Sequence, residues 1–246
     1  MANLRPHLNH APIREAVIDI TITPRVDLQA ITAAANGVGR PFDRRSDIWE
    51  ATIGFQFDQD GGNRERRTGS TKVGVRFDST NPPHVLQLRT GGFTFSRLTP
   101  YEDWNQVREA ARPYWAMYSA AVGACQVTKL AVRYINALRL PLPSQDFSEF
   151  LAAPPPVPKE LPQSVTGFLQ RVVIAADSYS AVVTQSLESV VLAQQEFVVV
   201  LDIDVFTNVG MAPTDPAVWE TLDKLRDAKN EIFFRHLTEK AVDMFA

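Results

Sequence analysis

Gln126 to Leu140, QVTKLAVRYINALRL, decides how the rest of the chain is read. The run is rich in Val, Leu, Ile and Tyr, is closed by Pro141 and Pro143, and reads as a long β-strand. It starts near the middle of a 246-residue chain, and the elements that precede it recur in the same order after it. On the N-terminal side, residues 11–23 (APIREAVIDITIT) partly alternate and read as a strand that Pro24 ends. Asp27 reads as the N-cap of a helix through LQAITAAANGVG, favoured by its alanines and stopped by its glycines. Asp47 to Phe57 is a second strand, followed by the polar loop DQDGGNRERRTGS. Lys72 to Phe77 and His84 to Leu88 are two more, around a turn at Asp78 to Pro83, and Phe93 to Phe95 is a short fifth after Gly91 and Gly92. Tyr101 to Val122 then reads as a helix. Trp104, Val107, Ala111, Tyr114 or Trp115, and Tyr118 share one face, and Pro113 is expected to kink or split it.

On the C-terminal side the same order returns. Asp146 to Leu151 reads as a short helix capped by Ser144 or Asp146, and AAPPPVP from Ala152 to Pro158 is a stiff connection. Gly167 to Ala175 and Ser180 to Ser186 form a hairpin, Glu196 to Phe206 is the clearest strand, and Pro216 to Met244 is a long terminal helix. Trp104 and Trp219 open the two long helices at matching points. The pattern predicts an α+β fold of two similar β-α-β(3-4)-α units, residues 1–123 and 124–246, separate or fused into one domain. Their antiparallel sheets would be covered by the long helices.

Composition bounds the function classes. With 45% apolar residues, 22% charged residues and a net charge of -3, the chain is neither disordered nor a collagen, coiled-coil rod or disulfide scaffold. The lone Cys125 cannot form an internal bridge or, with four histidines, a cysteine-based metal cage, and no cofactor is expected. The start, MANLRPHLNHAPIREAVIDI, has no apolar stretch after its first basic residue. The longest apolar runs, such as Val198 to Leu201, fall far short of the roughly 20 residues of a membrane span. The expectation is a soluble, cytoplasmic protein with no membrane partner. Residues 1–123 carry a net +2 and residues 124–246 a net -5, so neither half has the strongly basic character of a dedicated nucleic-acid binder.

Three clusters are candidates for chemistry. Asp202 and Asp204 are two apart on a strand and so face the same side, where a divalent cation or a basic ligand would relieve their repulsion. The plainer reading is a solvent-facing row, with Val199, Leu201, Ile203 and Val205 toward the core. Arg133 and Arg139 share a face of the central strand with Ile135 and Ala137 between them. If that strand neighbours the late one, Arg133 pairs with Asp202 or Asp204; otherwise both arginines stand ready for a carboxylate or phosphate. Arg64, Arg66, Arg67 and Lys72, beside Gly61 and Gly62, form the sharpest basic cluster, either a phosphate grip or a solvated hairpin tip. That loop has no aromatic residue on which a base would stack. His7 and His10 fall near the terminus, His236 borders the core, and Cys125 reads as a packed thiol. The terminal helix carries an apolar side (Trp219, Leu222, Leu225, Ile232, Phe233) that either completes the core or offers an edge for a homodimer or partner.

Four phrases stand in a telling order: Ala11-Pro12-Ile13 with Glu15-Ala16-Val17; Arg133-Tyr134-Ile135-Asn136; Leu201-Asp202-Ile203-Asp204-Val205; and Asn230 to Phe233 with Leu237-Thr238. Together they resemble a sporadically distributed bacterial protein family of unknown function, over nearly the whole chain. The resemblance implies no established reaction and no catalytic residues. Its patchy distribution implies a mobile defence or toxin-linked module. Ala137 follows Asn136 where the resemblance leads one to expect a basic residue; if relatives touch a ligand through that position, the resemblance does not carry that contact over to this chain.

The chain has no GxSxG, HExxH or GxGxxG. These readings together predict a non-catalytic binding or interaction protein, the partner of a toxin or defence effector. The alternatives are a metal-dependent enzyme using Asp202 and Asp204, or a nucleic-acid-binding module using Arg64, Arg66, Arg67 and Lys72.

Overall fold

Alternation of apolar and polar residues sets the strands and their buried face. In β1 (Ile13–Thr23), Ala16, Ile18, Ile20 and Ile22 are buried, while the residues between them are half-buried. In β6 (Gln126–Pro141) the buried row is Leu130, Val132, Tyr134, Asn136, Leu138 and Leu140. In β9 (Glu196–Met211) it is Phe197, Val199, Leu201, Ile203 and Val205. The computed structural model describes residues 8–57, 64–141, 146–158 and 165–246; the side chains of 53–57, 64–68 and 192 lie outside that description.

The remaining strands are β2 (Arg44–Phe57), β3 (Arg64–Thr80), β4 (Pro83–Arg89), β5 (Gly92–Leu98), β7 (Leu169–Ala175) and β8 (Ser180–Val191). All nine strands of the described residues join one antiparallel sheet in the order β2-β3-β4-β5-β1-β6-β9-β8-β7. The expectation of two similar units, each with its own sheet under a long helix, is therefore overturned. β1 pairs with β6, Ile18 opposite Val132, so the sheet runs without interruption across the boundary at residues 123 and 124. Joining there satisfies the hydrogen-bonding edges that β1 and β6 would each expose in separate sheets. The halves also differ. The first carries α1 (Leu28–Ala35) between its first two strands, whereas the second has only a 3-10 turn at Phe147–Glu149, where a short helix was expected.

The helices lie against the apolar face of the sheet. α1 packs on β3 and β4, α2 (Trp104–Val122) on β5, and α3 (Ala217–His236) on β6 and β9. Asp27 and Asp103 cap α1 and α2, accepting the backbone N–H of Gln29 at 2.7 Å and Gln106 at 2.9 Å. The buried stripe of α2 is Trp104, Val107, Ala111, Trp115, Tyr118 and Val122, at three- and four-residue steps. Pro113 does not split this helix. It sits on the exposed side, where water can reach the carbonyl that loses its helical donor. The terminal helix, expected to run from Pro216 to Met244, stops at His236. Thr238 then caps a separate α4 (Glu239–Asp243), accepting the Ala241 N–H at 3.3 Å. Leu237 leaves the helix to bridge Leu151, and Thr238 donates its backbone N–H to Phe150 O and its hydroxyl to Glu149 O. The apolar side of α3 completes the core through Leu222, Leu225, Ile232 and Phe233. Among the described residues, no helix is long and apolar enough to cross a membrane.

Candidate functional site

The solvent face of the sheet is laced with arginine–carboxylate pairs. Asp202 and Asp204 project to that face from β9, as their spacing predicts. Arg133 reaches diagonally across the β6–β9 ladder to Asp202, with Nε–Oδ1 at 2.8 Å and Nη2–Oδ2 at 2.6 Å. This bidentate pair holds the Arg133 guanidinium pKa above its usual value. Burial pushes the Asp204 carboxyl up, against the opposing pull of Lys129 and Arg133. Arg139, on the same face, reaches Glu196 at 3.4 Å, and Arg14 grips Glu188 at 2.7 and 2.8 Å. Among the described residues, no group of three or more His, Cys, Asp or Glu is placed to hold a metal ion.

The basic cluster has a different setting from the one expected. β3 begins at Arg64, so the backbone of Arg64, Arg66 and Arg67 belongs to a strand and not to a hairpin tip. The side chains of these three arginines, and all of Gly61 and Gly62, lie outside the described residues. Lys72 pairs with Asp47 at 2.7 Å, and its register partner is the exposed Trp49. A shallow depression nearby gathers Arg44, Arg45 and Arg76 around Asp78, and Arg76 is bound to Asp78 at 2.6 Å.

His236, His84 and Cys125 are held within the fold. His236 donates its Nδ1–H to Ile232 O at 2.7 Å, since the carbonyl can only accept. Cys125 is buried, and burial pushes its thiol pKa up. His7 lies outside the described residues. His84, which no sequence signal picks out, is buried 3.4 Å from Arg97 Nη1. An arginine can only donate, so His84 Nε2 accepts.

A cavity of about 190 Å³ opens where the start of β1, the middle of β6, the N-terminal end of α2 and the second half of α3 meet. Its walls bring together Ala11, Pro12 and Ile13, Tyr101 to Trp104, Asn136, and the α3 residues Arg226, Lys229, Asn230 and Phe233. The α3 residues follow the i, i+3, i+4, i+7 pattern of one helix face. Three of the four sequence phrases quoted above thus supply walls of one cavity. The remaining phrase holds Asn136 in place: its Nδ2 donates to Leu201 O at 2.8 Å and to Tyr134 O at 3.3 Å. Those two carbonyls fix the amide, because the flipped orientation would set Oδ1 against two acceptors. Asn136 is 1% exposed, and its Oδ1 has no hydrogen-bond partner among the described residues. Ala137 N–H donates to Pro12 O at 2.8 Å. Its side chain belongs to the opposite face of β6, away from the cavity.

Lys229 is the other buried polar group, at 4% exposure. Its Nζ lies 3.6 Å from the centroid of the Tyr134 ring, a cation–π placement that offsets part of the cost of burying the charge. Tyr134 and Tyr101 share a hydroxyl–hydroxyl hydrogen bond at 3.1 Å. Burial raises both phenol pKa values, that of Tyr134 well above the usual range, while Arg226 pulls both down without reversing the shift. Arg226 pairs with Asp227 at 3.1 Å, but its Nε is buried with no partner among the described residues.

The sequence carried a signal for this site that composition and spacing did not single out. Asn136 stands in the apolar register of β6, and Lys229 stands in the apolar stripe of α3 between Leu225 and Ile232. A polar residue in a buried register must be satisfied by something, and here that something borders a cavity. No protein-family model matches the chain, and no curated protein matches it.

Proposed function

We propose that this chain is a non-catalytic binding protein that takes a small ligand in the cavity between β1, β6, α2 and α3. Asn136 carries the reading: a fixed, buried amide in the lining of the cavity whose Oδ1 has no hydrogen-bond partner among the described residues. Leaving such an acceptor unsatisfied costs about 1–3 kcal/mol, which a ligand donor would recover. The two phenols and the arginine beside the cavity favour recognition over proton transfer. The phenols of Tyr101 and Tyr134 are shifted away from neutrality, and arginine does not deprotonate in proteins. An efficient general acid or base titrates near the working pH. In the setting that the family resemblance implies, the protein would serve as the partner of a toxin or defence effector, with no chemistry of its own.

Ligand-observed NMR with a library of small polar compounds tests the reading. Compounds are expected to bind the wild type and to be lost in Ala11→Phe or Asn230→Phe, each of which puts a ring into the cavity. Circular dichroism confirms that the variant remains folded. A library that finds no binder, or binders that persist in both folded variants, would overturn the proposal.

A further inference from the structure

We infer that the ligand is a small carboxylic acid with an amino or hydroxyl donor on the carbon next to its carboxylate; this rests on the binding reading above. The α3 wall carries two cationic side chains one turn apart, Arg226 and the buried Lys229. The β6 wall contributes the Asn136 amide, which its two carbonyl bonds hold in one orientation and whose buried Oδ1 has no hydrogen-bond partner among the described residues. A ligand complementary to both walls carries a negative, acceptor-rich end and a neighbouring N–H or O–H. A carboxylate suits Arg226 and Lys229 as a charge-assisted acceptor, and the adjacent donor suits Asn136.

Charge and size narrow the class. Glu102 and Asp103 also line the cavity, so the lining carries two positive and two negative side chains. A dianion such as a phosphate monoester would meet those carboxylates with an extra negative charge. A monocarboxylate does not, and an ammonium beside it gains from them. The volume of about 190 Å³ equals about six water molecules at ~30 Å³ each. Leu8, Pro12, Trp104 and Phe233 give the remaining wall an apolar character suited to a short aliphatic side chain.

Calorimetric titration of the wild-type chain with four probes of one skeleton tests the inference: leucine, 2-hydroxy-4-methylpentanoate, 4-methylpentanoate and leucinol. Leucine and the hydroxy acid are expected to bind. 4-Methylpentanoate lacks the donor and leucinol lacks the carboxylate, so each should bind at least tenfold more weakly. Lys229→Met, or Arg226→Gln if the first variant misfolds, should weaken leucine binding at least tenfold. Equal binding of all four probes, or no binding of leucine and the hydroxy acid at millimolar concentration, overturns the inference. If library compounds without a carboxylate occupy the cavity and are lost in Ala11→Phe, the ligand class is wrong while the binding site stands. If nothing in the library binds either, the site itself falls.

Discussion

The indole N–H of Trp104 donates to Asp223 Oδ1 at 2.6 Å, joining the first turn of α2 to α3. The other oxygen of the same carboxylate accepts from Arg108 Nη1 at 2.8 Å. One turn farther along α2, the Arg112 guanidinium lies 5.1 Å from the centroid of the Trp219 ring. The two tryptophans that open the long helices thus meet partners from the opposite helix, and the wall of the cavity that holds Trp104 is braced from both sides. Trp104→Phe keeps an aromatic ring in place but removes the donor. It should cost about 1–2 kcal/mol in urea unfolding and weaken any ligand held in the cavity. Unchanged stability would mean that the bond contributes nothing net.

The Arg133–Asp202 pair is bidentate but about half exposed on the arginine side. A double-mutant cycle with Arg133→Ala and Asp202→Asn should return a coupling of about 0.5–1 kcal/mol, near the upper end for exposed pairs. The coupling should shrink at high salt. A coupling indistinguishable from zero at low salt would show that the geometry carries no energy.

His84 makes stability sensitive to acid. Burial, and next the nearby Arg97 guanidinium, pull its imidazole pKa down to about 4, against about 6.5 in an unfolded chain. Between those values the unfolded state binds the proton and the folded state does not, so stability falls as pH drops from about 6.5 toward 4 and this loss levels off below. His84→Gln removes the titrating group. The wild-type urea midpoint should fall relative to that of the variant between pH 7 and pH 4; parallel curves would contradict the assignment.

Close strand approach makes Gly92 hard to replace. A Cβ there would stand 2.4 Å from Ile20 O on the adjacent β1, whereas at Gly210, also in a strand, nothing lies within 4 Å. Gly92→Ala should destabilise by about 1–3 kcal/mol as the ladder shifts to admit the methyl, and Gly210→Ala should be close to neutral. Thermal unfolding of both variants decides the point; equal effects would argue against a steric origin.

Much of the local structure was legible in the residues. Asp27 announces the start of α1, and the alternation of Ile18, Ile20 and Ile22, or of Leu201, Ile203 and Val205, states which side of a strand is buried; the second helix was expected from Tyr101, whereas Asp103 caps it and it starts at Trp104. The pairing of Arg133 with Asp202 was also within reach, because it needs only that β6 and β9 be neighbours. The break at Leu237 was not, since helical periodicity continues through it. The chain leaves the helix there to make backbone bonds with residues 150–152.

The sequence by itself determined most of the strands, their buried faces and the cap of the first helix, because these follow from spacings of two, three or four residues. Only the tertiary structure decided that the nine strands form one sheet, with Ile18 of β1 opposite Val132 of β6, and that Asn136 and Lys229 border the same cavity. Local periodicity fixes which way a side chain points. Which strand lies alongside, and which polar group ends up beside a void, depends on contacts between residues far apart in the chain, and no short window of sequence contains them.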